Sequence, residues 1–214
     1  MRKTLLARIS LLGLVLACDS PASRVPDLPF YQESTFSPLW IKPGELPKDF
    51  HQIPPFTLTN QHHAQITEKE MDDHVTVVNF FFTFCPGICP KLMGNMAIVE
   101  AAFVHDPQVL LLSHSVTPDH DTVEKLRAYA RKNQIQSPRW HLLTGDRKTI
   151  YSLGRTAYFA EEDLGESRSE DDFLHTENIL LIDQNRHLRG IYNGLNQSSI
   201  QQLIIDARSL LDLD

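Results

Sequence analysis

From residue 75 to residue 84 the chain is largely apolar and rich in Val and Phe, and it reads as a strand buried on both faces. Leu92, Met96, Val99 and Phe103 follow at spacings of four, three and four, the stripe of an amphipathic helix. Apolar runs at residues 109–113 and 140–144 predict two further strands. Between them Val123, Leu126 and Ala130 predict a helix ending at Lys132, with Asp121 as its cap and Glu124 three residues on. Asp146 caps a helix running from Arg147 to about Tyr158. Residues 178–183 predict a fourth core strand, and Gln184-Asn185-Arg186 turns it into a paired strand at 188–192. Ile200, Leu203, Ile204, Ala207, Leu210 and Leu211 form the stripe of a closing helix. Upstream, residues 56–59 alternate with period two and turn through residues 60–63 into a return strand at 65–67. The order is hairpin, then strand–helix three times, then hairpin and helix. It predicts an α/β fold with a central mixed sheet flanked by helices.

The chain before this domain has a different character. Arg2 and Lys3 precede an apolar stretch over residues 5–17, interrupted by Arg8 and too short for an ordinary membrane span. It ends in Val15-Leu16-Ala17-Cys18, which resembles a bacterial lipobox: cleavage before Cys18, then lipidation of that cysteine, although Leu16 replaces the usual small residue. The plainer alternative is a secretory signal cut near Ala17. Either way the domain is exported. Residues 18–48 are rich in Pro and Ser and carry Phe30, Tyr31, Phe36, Leu39 and Trp40, so they read as a tether that docks by its aromatic end. The division is therefore a leader at 1–17, a tether at 18–48 and one domain at 49–214. A composition of 42% hydrophobic and 22% charged residues is globular, and a formal net charge of −7 argues against nucleic acid as a partner. Residues 161–172 hold seven acidic residues and one basic residue, and read as a solvated loop or a docking patch for a basic partner.

The chemistry lies in three cysteines, of which Cys85 and Cys89 are the only close pair. They sit where the central strand turns into a helix, in Cys85-Pro86-Gly87-Ile88-Cys89-Pro90. A helical start puts sulfurs four residues apart on one face, and the positive end of the helix dipole favours their thiolates. The prolines lack amide donors, which costs least in the first helical turn. A redox dithiol, a soft-metal site and a structural pair all remain open. A cysteine pair ending a strand and opening a helix is a thioredoxin-like arrangement, but redox dithiols of that type have two intervening residues and here there are three. A third ligand favours metal. His175, just before the fourth core strand, is the candidate; it occupies the loop where such folds commonly place a cis-proline, and no proline follows Pro138. His62 and His63 read as solvated residues on a turn. His51, His74, His105, His114, His120, His141 and His187 receive no role, though His114 lies on the strand beside the central one.

Thr83-Phe84-Cys85-Pro86-Gly87-Ile88-Cys89-Pro90 matches the T-x-C-P-x-x-C-P signature of the SCO/SenC family, and Ser115-Val116-Thr117-Pro118-Asp119-His120-Asp121-Thr122 resembles its S-x-D-P-x-x-D-T segment. The likeness runs from about Ile53 to the C-terminus. It implies a thioredoxin-like fold and a copper chaperone for the CuA site of cytochrome c oxidase subunit II. Cys85, Cys89 and His175 would then hold Cu(I), or Cu(II) with an added water. It also implies anchoring on the outer face of the bacterial cytoplasmic membrane, which agrees with Cys18; a monomer is the default expectation. The runner-up is a thiol-disulfide oxidoreductase that reduces the cysteines of the copper-accepting protein. A thiol peroxidase or sensor and a zinc store are further alternatives. Two departures stand out: Thr117 replaces the family's aspartate, with Asp119 as its substitute, and the apolar Leu174 precedes His175.

Overall fold

The computed structural model describes residues 28–42, 45–161, 174 and 176–211. Cys18, His175 and all of the acidic stretch except Glu161 lie outside the described residues. The strands are β1 (Thr57–Asn60), β2 (Gln65–Thr67), β3 (Val75–Phe81), β4 (Val109–Ser115), β5 (Trp140–Thr144), β6 (Asn178–Ile182) and β7 (Leu188–Asn193). The helices are α1 (Cys89–Ala102), α2 (Val123–Lys132), α3 (Arg147–Ser152) and α4 (Gln197–Leu211). All seven strands form one sheet in the order β2-β1-β5-β4-β3-β6-β7. β3, β4 and β5 run parallel, while β1, β6 and β7 join by antiparallel pairs, so the sheet is mixed as the element order predicts.

β3 sits inside the sheet with every residue buried, which is why it shows no polar alternation. Val75, Val77 and Phe81 pack under α1, α2 and α4, and Val78 and Phe80 face the layer built by α3 and Tyr158. Leu92, Met96, Val99 and Phe103 are fully buried, which gives α1 its apolar stripe. Burying each such side chain stabilises the fold by roughly 1.5–3 kcal/mol. α3 ends at Ser152 and continues as a π-helical turn over Leu153–Ala157, so the predicted run to Tyr158 changes hydrogen-bond pattern midway.

Two expectations fail. The helix begins at Cys89, not Cys85. A start at Cys85 would place Pro90 beyond the first turn, where its missing amide would cost an intrahelical hydrogen bond. Asp121 does not cap α2; Thr122 does, its side chain accepting from the Lys125 amide.

The segment before the domain docks at the far end of the sheet. Phe30 pairs with Leu39, and the Tyr31 amide donates to Leu188 at the start of β7. Leu188 lies beside Ile182, which lies beside Thr76 near the start of β3. The docking edge is therefore the pole opposite the cysteines. No helix among the described residues is long and apolar enough to cross a membrane.

Candidate metal centre

β3 ends at Phe81, whose carbonyl accepts from the Val116 amide at 2.9 Å and carries the parallel pairing one step past the strand. Cys85 then lies half-buried just before a bend at residues 86–88, and Cys89 opens α1 and is buried. Both are reduced. The two thiols are unequal. Burial raises Cys85, but hydrogen bonds from the Cys89 thiol and from the amides of Cys89, Gly87 and Ile88 outweigh it, and its pKa falls below the ordinary value. Burial pushes Cys89 up to about 12, helped by the hydrogen bond to Cys85 and by its charge. The helix N-terminus thus favours one thiolate, at Cys85, and not both.

Tyr129 of α2 belongs to the same neighbourhood. Burial, and then the charges of Cys89, Cys85 and Asp121, raise its phenol to about 12, so it stays protonated beside the dithiol. The sequence carried one signal for it: three residues past Leu126, it falls beside the buried stripe of α2.

A cavity of about 20 Å³ lies against Cys89, lined also by Phe80, Phe82, Val116, Leu174 and Thr176. It has room for about one water. Leu174 and Thr176 are held in place: the Thr176 hydroxyl donates to the Ala160 carbonyl at 2.6 Å, and a Cβ on Gly154 would meet Leu174 Cδ2 at 2.6 Å. Both sequence neighbours of position 175 therefore line the cavity that touches Cys89, although His175 is outside the described residues. Among the described residues no group of three or more His, Cys, Asp or Glu side chains is arranged to hold a metal ion. The donors described are the two sulfurs, which suit a soft ion such as Cu(I).

Several histidines are engaged elsewhere. Asn60 Nδ2 donates to His141 Nδ1, His51 Nε2 pairs with the Ala157 carbonyl and His187 Nδ1 faces Asp183. His63 meets Glu124 across the surface at 3.3 Å. His114 is fully buried among Phe56, Phe80 and Tyr158, and neither ring nitrogen has a hydrogen-bond partner among the described residues.

The Ser115–Thr122 segment centres on Asp121. Asp119, the expected substitute for the missing aspartate, is exposed to solvent, whereas the Asp121 side chain is fully buried. It accepts from the Thr83 amide at 3.0 Å and hydroxyl at 2.5 Å, from Ser115 Oγ at 2.7 Å, from Thr117 Oγ1 at 3.1 Å and from His120 Nδ1 at 2.9 Å. Burial opposes its charge, but these donors prevail and hold the carboxyl below its usual range. Thr117, where the sequence resemblance predicts an aspartate, is thus one of its donors.

Comparison with known proteins agrees with this architecture. The SCO1/SenC family model matches residues 45–212. The "SCO1 protein homolog" of Bacillus subtilis is 24% identical over 164 residues, which cover 74% of this chain and 82% of that protein. A crystal structure of a SCO1/SenC family lipoprotein from Bacillus anthracis superimposes with a TM-score of 0.65 at 27% identity, covering 75% of this chain and 95% of that one. ScoI of Bradyrhizobium japonicum, solved with copper bound, superimposes at 0.58 with 24% identity over 73% of this chain and 98% of its own. With its Cys85–Cys89 motif at the head of α1 and a thioredoxin-like sheet behind it, the chain belongs to the SCO1/SenC family.

Proposed function

We propose that the protein is a copper chaperone: the Cys85 and Cys89 thiolates and the His175 imidazole bind one copper ion and hand it to the CuA site of cytochrome c oxidase during its assembly. The observation that carries this reading is the unequal pair of reduced thiols at the head of α1, with both neighbours of residue 175 lining the cavity against Cys89. The copper-bound relative supports the choice of metal. The lipoprotein relative supports a lipid on Cys18 holding the domain at the outer face of the cytoplasmic membrane. Copper is cargo here. Cys85 offers a thiolate readily, and the metal must displace the Cys89 proton, so affinity rises with pH.

The test is the Cu(I) stoichiometry and affinity of the reduced protein beside His175→Ala, by competition with a chromogenic chelator. One tight copper per chain, weakened at least about 10-fold in the variant, is the expected result; ten-fold corresponds to about 1.4 kcal/mol. Equal binding by both proteins, or binding no tighter than a simple dithiol, removes the three-ligand carrier.

A second reading has its own observation. A lowered, half-buried thiol beside a raised, buried one is also the asymmetry of an attacking and a resolving cysteine. In it the pair reduces a disulfide of the copper-accepting protein, and an external dithiol partner restores it. His175→Ala keeps that activity and loses only copper.

A further inference from the structure

The two cysteines have supports of very different strength. Cys89 stands on α1, packed into the core. Cys85 stands just before a bend, half-buried against the core and hydrogen-bonded to Cys89 and to amides of the same turn, but outside any helix or strand. A Cβ on Gly87 would meet nothing within 4 Å, the Phe84 ring is 53% exposed, and the Cys85 amide reaches the Phe82 carbonyl only at 3.5 Å. Besides the packing of Phe84 on Phe82 at 5.0 Å, this arm is tied two residues earlier, where the amide and hydroxyl of Thr83 both donate to Asp121. Phe84 is held through the same carboxylate, since its ring packs at 4.3 Å on His120, whose Nδ1 donates to Asp121. Ser115 and Thr117 tie Asp121 in turn to the end of β4 and the loop beyond it. A carboxylate has about four lone-pair positions, and these donors fill them. Asp121 therefore has no capacity left to take a proton or a metal ion; it acts through the groups it holds.

We propose that Asp121 is the positioning residue of the dithiol: its buried carboxylate clamps the Thr83–Phe84 arm to the ends of β4 and α2 and so sets where Cys85 Sγ stands relative to Cys89. The proposal takes from the reading above only that the cysteine pair is the working centre. It gives the clamp a measurable output, because two thiols held at one separation close a ring, around sulfur or around copper, more favourably than two thiols of which one wanders.

The experiment equilibrates the full chain with glutathione buffers and reads the Cys85–Cys89 dithiol–disulfide constant, alongside urea unfolding. Asp121→Asn keeps the shape and removes the charge. Leu203→Ala, in the buried stripe of α4, is the control for general destabilisation. Ring closure at least 10-fold less favourable in Asp121→Asn, with Leu203→Ala within twofold of wild type, is the expected result. Equal shifts in the two variants overturn the proposal. If Asp121→Asn does not fold, Thr83→Val and Thr83→Ser decide the matter. Loss of the hydroxyl weakens ring closure about threefold and the serine restores it; an unchanged constant in the valine variant overturns the clamp. Wild-type protein that fails to bind Cu(I) removes the copper reading and leaves this constant still reporting on Asp121.

Discussion

His114 carries an imidazole in a place built for a hydrocarbon ring. It stacks on Phe80 at 5.2 Å, and burial depresses its pKa from 6.5 to about 3. In the folded state it stays neutral, whereas the unfolded chain takes a proton below about pH 6.5. The stability tied to the neutral ring is complete above the unfolded value and is lost as pH falls toward the folded one, at about 1.4 kcal/mol per pH unit. We expect urea unfolding of the wild type at pH 5 to show a loss of about 2 kcal/mol from this residue relative to pH 7.5. His114→Phe should flatten that acid limb whatever it does to absolute stability. His141, depressed to about 4 by burial and then by the charge of His62, leaves the variant a residual slope. An unchanged limb in His114→Phe means the ring is hydrated or paired in solution. The residues differed in how readable they were. Cys85 and Cys89 were legible because a spaced pair between prolines leaves few other uses. Asp121 was misread as a cap because an acid before a helix serves a cap and a buried anchor equally well. Only its neighbours in space, Thr83 and Ser115, separate the two.

Among elements, the contact that seats α1 against the C-terminal hairpin runs through Gly194. Its amide donates to the Glu177 carbonyl at 2.8 Å, and its carbonyl accepts from Asn95 Nδ2 at 2.6 Å. A Cβ there would lie 2.2 Å from Leu92 Cδ1 and 2.7 Å from the Glu177 carbonyl oxygen, and the second of these is backbone and cannot swing aside. Gly194→Ala should cost about 2–3 kcal/mol in urea unfolding, the range of core overpacking. A cost under about 0.5 kcal/mol would show that β7 and α1 have slack where they meet. The seven strands and four helices were nearly all legible, because their periods of two and 3.6 are written in which side chains are apolar. Their joints were not. Nothing in the pattern told that Asn79, Ser113 and Trp140 form a buried polar chain across β3, β4 and β5, or that Asn79 reaches Met93 Sδ on α1 at 3.5 Å. Such links depend on register between strands far apart in sequence.

At the scale of the molecule, Arg189 links the segment at 28–42 to the sheet, beside the Tyr31–Leu188 hydrogen bond and the packing of Phe30 on Phe50 and His187. The Arg189 guanidinium lies 3.8 Å from the Phe30 ring centroid, donates to the carbonyls of Pro29 and Leu28, and pairs with buried Asp183 at 3.0 Å. Arg189→Ala strips this grip and leaves the Asp183 carboxylate with His187 as its remaining side-chain partner among those described. We expect a loss of about 3 kcal/mol, as when one member of a buried pair is removed, and faster proteolysis within residues 28–42 while the core stays resistant. Unchanged cleavage would mean that the packing of Phe30 on Phe50 and His187 and the Tyr31–Leu188 hydrogen bond hold the segment unaided. The aromatic end of the tether announced in sequence that it docks, but not on which edge. That edge decides how the domain bears a load. A pull from the N-terminal side is taken up at Arg189 and the start of β7, at the pole away from Cys85. With the anchor proposed at Cys18, the domain would hang from the edge farthest from the thiols, and a tug on it would fall on Arg189 before it reached Cys85 or Cys89.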